Sequence, residues 1–228
     1  MIKLYQYEVC PFCCKVRSVL DFKKIPYETV EVNPLGKQEI AFSTDYKKVP
    51  ILVDNGKVVT ESNDIIRYLD ENYPKNPVFS ENSNDKIKQE EWLQYADSEL
   101  VIILPPNIYG NFRESLSSFD YITNHTKFSK PKRVMIKFMG AFVMTMVAKK
   151  KMKEREITDP RKSLRKTLLK WEEALGSKDF MGGNKPDVSD LACMGILQSV
   201  HGLKIWDFIA EQKPIADWYQ RVEKSLAA

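Results

Sequence analysis

Apolar and polar positions alternate over residues 2–7 as in a half-buried strand. Over residues 14–22 the period changes to the three- and four-residue spacing of a helix. A second alternating run, 25–32, predicts another strand, and Asn33-Pro34-Leu35-Gly36 ends it. Residues 37–42 read as a short helix. Two apolar runs, 49–54 and 57–60, then flank Asn55-Gly56, the strongest short signal for a hairpin. Glu61-Ser62-Asn63-Asp64 opens a helix through 65–69 that stops before Tyr73-Pro74. The order is β-α-β-α-β-β-α. The first two strands need a crossover and are expected parallel, and the hairpin adds an antiparallel edge, which makes a mixed four-stranded sheet.

Beyond residue 73 the strand period disappears. Residues 74–84, rich in Asn, Ser and Pro, read as a linker between a domain at 1–73 and an all-helical domain at 85–228. Helical spacing runs over 85–104, where Pro105-Pro106 is expected to break it. It recurs at 113–126, 130–152, 159–175, 188–201 and 214–226. Asp187 and Asp190 have the spacing of a capping box, with Asp187 as N-cap. The apolar stretch 134–148 is shorter than the ~20 residues that span a bilayer, contains Lys137 and runs into Lys149-Lys150-Lys151. It is expected to be a buried helix. The alternative is a basic-flanked helix lying on a membrane surface, a peripheral contact. The basic stretch 149–155 reads as a solvated helix face.

Composition narrows the class. The 228 residues are 43% hydrophobic and 29% charged with a net charge of +4, an ordinary globular balance. Without an aromatic-basic motif it implies no nucleic-acid partner. Three of the four cysteines, Cys10, Cys13 and Cys14, fall within five residues, and Cys193 is remote. That clustering suits a local thiol site in the cytoplasm or another reducing compartment, not a secreted disulfide framework. Residues 1–4 run straight into the first strand, so no targeting segment is expected. His125 and His201 stand alone, and no metal site is expected.

The chemistry concentrates at Cys10-Pro11-Phe12-Cys13, a CxxC at a strand-to-helix junction, the arrangement of thioredoxin-type proteins. Free N–H groups and the helix dipole favour a thiolate there, so Cys10 is the candidate nucleophile rather than a buried structural cysteine. Cys13 is placed to act as resolving thiol, Phe12 to cover the site, and Pro11 suits the first helical position. Cys14 points elsewhere, by about 100° of helical phase. Cys193 reads as a small core residue. Val49-Pro50 stands where a cis-proline would face the thiols and offer the Val49 backbone to a peptide-like ligand. Glu61-Ser62 allows two readings. Ser62 is a plain helix cap, or the helix start and the Ser62 hydroxyl hold a carboxylate while Glu61 accepts an ammonium, as a γ-glutamyl group would present them.

A thioredoxin-like half, an Asn/Pro linker and an all-helical half together resemble the glutathione transferase superfamily. Val49-Pro50 and Glu61-Ser62 look like its glutathione-binding loops, and 187–190 resembles its folding-motif capping box. Within that superfamily the chain is most similar to the membrane-associated prostaglandin E synthase type 2 family. The matching segments include Leu4-Tyr5-Gln6-Tyr7, Cys10-Pro11-Phe12-Cys13, Lys47-Lys48-Val49-Pro50 and, in the helical half, Pro106-Asn107-Ile108-Tyr109 and 180–186. The resemblance implies glutathione binding by Val49, Glu61 and Ser62 with Cys10 facing its sulfur. It also implies isomerisation of prostaglandin H2 with Tyr7 and Cys10 at the endoperoxide, a homodimer, and haem as a lesser ligand. Glutathione-dependent thiol–disulfide exchange on a small hydrophobic or disulfide substrate is the companion expectation. The alternative is a non-catalytic haem- or hydrophobic-ligand carrier lined by Tyr95, Tyr109, Phe112 and Tyr121, or a docking protein on the same fold.

Overall fold

The computed structural model describes residues 1–34, 36–124 and 130–227, so Leu35 and His125 lie outside the described residues. Two compact units are distinguishable. One comprises Met1–Ala96, Ser177–Ser199 and Trp218–Ala228, the other Asp97–Gly176 and Val200–Asp217.

The first unit holds the sheet. β1 (Ile2–Gln6), β2 (Tyr27–Glu31), β3 (Ile51–Asp54) and β4 (Lys57–Thr60) lie in the order β2-β1-β3-β4. β1 and β2 are parallel, with Leu4 opposite Thr29. β3 is antiparallel to both β1 and β4, with Leu52 opposite Leu4 and Val59. This is the mixed four-stranded sheet expected from the alternation and from Asn55-Gly56, where Asn55 and Gly56 both take positive φ. The expected helix at 37–42 shrinks to one 3₁₀ turn, Gln38–Ile40. Its only buried residue is Ile40, too little apolar surface to hold a longer helix.

α1 (Pro11–Phe22) begins with Pro11 at its first position and buries Cys13, Val16, Val19 and Leu20. It packs against α8 (Val188–Gln198), which is buried from Val188 to Leu197. A glycine makes the approach close: a Cβ on Gly195 would stand 2.6 Å from Lys15 Cα and 2.8 Å from the Cys14 carbonyl oxygen. The Ser18 hydroxyl adds a 2.7 Å bond to the Leu191 carbonyl. α8 starts on the expected capping box, with Asp187 as N-cap and Asp190 reaching back to the Asp187 N–H.

α2 (Ser62–Asn72) and α3 (Ser83–Tyr95) complete this unit together with the end of α10 (Lys213–Ala227). The segment between α2 and α3 is tied down. Lys23 Nζ bonds Asp70 at 2.7 Å and the Asn76 carbonyl at 3.1 Å, while Asp70 accepts the Val78 and Phe79 N–H groups.

The second unit is helical: α4 (Val101–Tyr109), α5 (Phe112–Asn124), α6 (Lys130–Glu154), α7 (Pro160–Leu175) and α9 (Ile205–Ala210). Two expectations are corrected here. Pro105 and Pro106 do not break the helix but lie inside α4. α4 begins only at Val101, after a π-helical turn at Ala96–Leu100. The prolines therefore deprive only the first two carbonyls of α4 of helical partners, and the wide turn ahead relaxes the ladder. Asn107 then supports the helix by donating to the Ile103 carbonyl at 2.9 Å.

The second correction concerns 134–148, which is helical but not buried. α6 turns Ala141, Thr145 and Ala148 inward and leaves Val134, Phe138, Phe142 and Met146 exposed. Small residues let it approach α5 closely. The Thr145 and Ser115 hydroxyls meet at 2.7 Å, and a Cβ on Gly140 would fall 2.3 Å from the Phe119 ring. The larger side chains are consequently left outside. The short α9 had no sequence signal: six residues are too few to show a period.

Candidate functional site

The site lies wholly within the first unit, where β1, α1, β3 and α2 bring their ends together. Cys10 is the N-cap of α1, with extended backbone (φ −79°, ψ 124°) and no side-chain cap. Its N–H is held by the Tyr7 carbonyl at 3.0 Å, which turns the chain from β1 into the helix. Cys10 is half-buried, Cys13 and Cys14 are buried, and all four cysteines are free thiols.

These three neighbouring thiols have different acidities. Cys10 is lowered from the ordinary thiol value near 9 to about 7. The largest cause is a hydrogen bond from the Cys13 side chain. The N–H groups of Cys13 and Phe12 and the Arg17 charge add to it, against the opposing effect of burial. Cys13 moves the other way, well above the ordinary range, because it is buried and donates to Cys10. Above about pH 7 the pair is thus predominantly one thiolate and one thiol. Cys14 is pushed up to about 11 by burial. It bonds the Glu8 carbonyl at 3.4 Å and accepts from Arg17 at 3.0 Å, away from the reactive sulfur.

Around Cys10 lies an apolar cluster of Cys13, Val32, Ile40, Val49 and Ile51, with Tyr5, Tyr7 and Tyr46 packed against it. Burial, and then the charge of the Cys10 thiolate, raise the Tyr7 phenol, so at neutral pH it keeps its proton and is a donor. The Val49-Pro50 peptide is cis, as expected from its place beside the thiols. Val49 precedes the β3 ladder, which opens at Ile51, so its backbone is not engaged in sheet pairing.

Glu61 is the N-cap of α2 and sits at φ 62°, ψ 123°. A non-glycine residue pays roughly 1–3 kcal/mol for such a conformation, and such residues concentrate at ligand clamps. Ser62 is the first helical residue, not the cap, and is buried; no side chain caps α2. Its free N–H groups and the Ser62 hydroxyl stand beside the exposed Glu61 carboxylate. The plain-cap reading of Ser62 is therefore corrected.

Three residues at the site were not singled out in the sequence. Tyr46 feels both Glu61 and the two thiols, and burial lifts it to about 12. Lys15, fully buried on α1, reaches Asn63 Oδ1 at 2.7 Å and stands 5.6 Å from the Phe12 ring. It ties the thiol helix to the turn that carries Glu61 and Ser62. Arg17 contributes positive potential at Cys10. The sequence offered no local signal for Lys15, whose partner Asn63 stands 48 positions on, nor for Tyr46, which sits in an aperiodic loop.

The aromatics considered for a ligand cleft are placed differently from one another. Tyr95 and Tyr109 are core residues, Phe112 is exposed, and the Tyr121 hydroxyl donates to the His201 carbonyl at 3.3 Å. Cys193 is buried in α8, as expected of a small core residue.

Known proteins match this arrangement. Residues 4–77 fit the model of the glutathione S-transferase N-terminal domain. Prostaglandin E synthase 2 of Danio rerio is 35% identical over 98% of this chain and 71% of its own length. Its Mus musculus counterpart is 34% identical over 99% of the chain and 70% of its length. A glutathione S-transferase from Methylobacillus flagellatus, solved with glutathione bound, shares the fold. Its TM-score is 0.63 at 16% identity, over 99% of this chain and 98% of that one. With the thiol pair, the cis-proline and the strained Glu61 turn in one unit, the chain belongs to the prostaglandin E synthase 2 family of the glutathione transferase superfamily.

Proposed function

We propose that this protein is a glutathione-dependent thiol enzyme in which Cys10 is the nucleophile. The observation that carries the reading is the place of Cys10 at the start of α1 with the Cys13 side chain donating to it, which lowers the first thiol to about 7 and raises the second. A nucleophile with a pKa near ambient pH combines a useful thiolate fraction with good intrinsic reactivity.

The groups present fit a γ-glutamyl peptide. The Glu61 carboxylate would take its ammonium, the free N–H groups at the start of α2 with Ser62 its carboxylate, and the Val49 backbone its extended peptide. Lys15, bonded to Asn63 at 2.7 Å, joins the helix that carries the thiols to this anchor. In exchange chemistry Cys10 attacks the glutathionyl sulfur of a mixed disulfide, the S–S bond breaks, and the substrate thiolate leaves and takes a proton from water. Cys10 is then joined to glutathione by a disulfide. Cys13, once deprotonated, attacks the Cys10 sulfur and expels glutathione as its thiolate, or a second glutathione attacks the glutathionyl sulfur and frees the Cys10 thiolate. The route through Cys13 leaves a Cys10–Cys13 disulfide for further glutathione to reduce; the route through glutathione leaves oxidised glutathione.

The names of the 34–35% identical relatives favour a second reading, isomerisation of prostaglandin H2. Cys10 would attack one endoperoxide oxygen and form an S–O bond. The O–O bond would break and the other oxygen take a proton, for which the protonated Tyr7 is placed. Loss of the adjacent C–H proton would then form the ketone and return the pair of the S–O bond to sulfur. No net oxidation occurs. The resemblance also suggests a homodimer and, as a lesser ligand, haem, and the clustering of the cysteines suggests a reducing compartment.

The test is retention on glutathione resin, followed by turnover of a small glutathione mixed disulfide and of prostaglandin H2. Wild type is expected to bind and to turn over at least one of the two, and Cys10→Ser to bind but lose turnover by 10²-fold or more, on the order of what removing a nucleophile costs. Full activity of Cys10→Ser would overturn the mechanism. A haem spectrum that forms without glutathione, in a protein that turns over neither substrate, would support the ligand carrier instead.

A further inference from the structure

The exposed face of α6 belongs to the second unit, whereas the thiol site belongs to the first. Among the described residues, seven of the thirteen large hydrophobic side chains that stand exposed lie on this one helix. They form two adjacent rows four residues apart: Val134, Phe138, Phe142 and Met146, beside Met135, Met139 and Val143. Exposure is 45–58% at every one. An apolar surface this continuous, on an outward helix face, marks an interaction site rather than scattered solvent-exposed residues.

The charges around it select the occupant. Beyond Met146 the same face continues into Lys149, Lys150 and Lys153, all exposed; Lys150 pairs with the exposed Glu154 at 3.7 Å and Arg155 with Glu99 at 3.3 Å, which leaves Lys149 and Lys153 without an ion pair among the described residues. Lys130 lies at the other end. At about 1.5 Å per residue the apolar rows are ~18 Å long, too short for the ~30 Å hydrocarbon core. No helix among the described residues is long and apolar enough to cross a membrane. A partly apolar helix with lysines at its ends lies flat in the headgroup region. There Phe, Met and Val enter the acyl boundary and lysine stems extend their ammonium groups to phosphates. A groove on another protein would need acidic groups placed to meet each lysine, whereas an anionic bilayer meets them at any rotation about its normal. The inward face is already satisfied by α5, through Ser115–Thr145 and the Lys137–Asp120 ion pair at 2.6 Å.

We propose that α6 is a membrane-surface helix that docks this protein on anionic bilayers, with Phe138 and Phe142 as apolar anchors and Lys149, Lys150 and Lys153 as phosphate contacts. The proposal does not depend on the thiol site, and its test needs no substrate.

Full-length protein is sedimented with vesicles of phosphatidylcholine alone and with 30% phosphatidylserine, about the range in which polybasic segments bind. Wild type is expected to partition at least tenfold more strongly to the anionic vesicles and to lose most of that at 0.5 M salt, since surface charge is then screened over about 4 Å. Phe138→Ser/Phe142→Ser should lower binding to both vesicle types. Lys149→Glu/Lys150→Glu/Lys153→Glu should lower only anionic binding. Both variants alter exposed residues, and unchanged circular dichroism and Cys10 alkylation rate would verify their fold. Wild type that stays in solution with both vesicle types overturns the proposal, as does binding that neither variant reduces. A protein that ignores vesicles but changes from dimer to monomer in Phe138→Ser/Phe142→Ser assigns the face to a second copy and also overturns it.

Discussion

At Cys10 two effects compete. Burial works against the thiolate, and hydrogen bonding from Cys13 with the N–H groups of Phe12 and Cys13 works for it. The second set prevails and brings the group to about 7. The sign is testable: lowering a thiol's pKa raises the thiolate fraction at neutral pH, so alkylation by iodoacetamide should reach half its plateau near pH 7 and not near 9. Because the Cys13 bond is the largest contribution, Cys13→Ala should move that midpoint up by about one unit or more, whereas Cys13→Ser keeps a donor and should move it less. An unmoved midpoint in Cys13→Ala would mean that the helix start alone sets the acidity. Lys15 offers a second measurement. Lys15→Met removes a charge-assisted bond to Asn63, of a kind worth about 1.5–3 kcal/mol. Glutathione affinity, measured by calorimetry, should fall about tenfold if that bond holds the Glu61-Ser62 turn in place. Unaltered affinity would show that the turn holds itself. Cys10, Cys13, Val49, Pro50 and Ser62 could be read from the sequence because each sits at a junction whose period or turn chemistry is local. Lys15 and Tyr46 could not, since their importance comes from residues dozens of positions away.

At the scale of elements, the thiol helix is positioned as much by α8 as by the sheet. Gly195 lies in a helix interior, where glycine costs up to about 1 kcal/mol relative to alanine, and the space explains it. A side chain there would meet the α1 backbone at 2.6–2.8 Å, and backbone cannot swing aside as the tip of a flexible side chain can. Gly195→Val should therefore destabilise by about 1–3 kcal/mol, the usual cost of overpacking, and should also shift the Cys10 alkylation midpoint, because α1 must move. Denaturant unfolding gives the first quantity and labelling the second. A variant with normal stability and normal Cys10 would contradict the close-approach argument. Elements were legible where one local rule dominated, as in the alternation of β1, Asn55-Gly56 and the 187–190 capping box. They were misread where context overrode the rule. The π turn before α4 accommodates Pro105 and Pro106, and α6 buries its small residues and exposes its large ones, the reverse of the usual assignment.

At the scale of the whole molecule, the unit that holds the site is assembled from three separated stretches of chain. Asp190 joins two of them, 177–199 and 218–228. Its carboxylate accepts the N–H groups of Met181 at 3.0 Å and Asp187 at 3.1 Å and the Trp218 indole at 2.7 Å. Trp218 is itself fully buried. Loss of the carboxylate would leave these donors facing an apolar interior, at about 1–3 kcal/mol for each buried donor left unpaired. Asp190→Ala should therefore lower stability by several kcal/mol, more than removal of an exposed helix cap at about 1 kcal/mol. The same topology determines what the sheet segment can do alone. Val16, Val19 and Leu20 of α1 are 0% exposed in the full chain, on a helix that packs against α8. A fragment of residues 1–84 retains all four strands and every thiol of the site but lacks α8 and Trp218. It should bind a hydrophobic dye, unfold without a cooperative transition and show a Cys10 alkylation midpoint nearer the ordinary thiol value. If the fragment instead unfolds cooperatively and keeps its midpoint near 7, the sheet and α1 suffice to build the site. α8 would then stabilise a site that it does not shape.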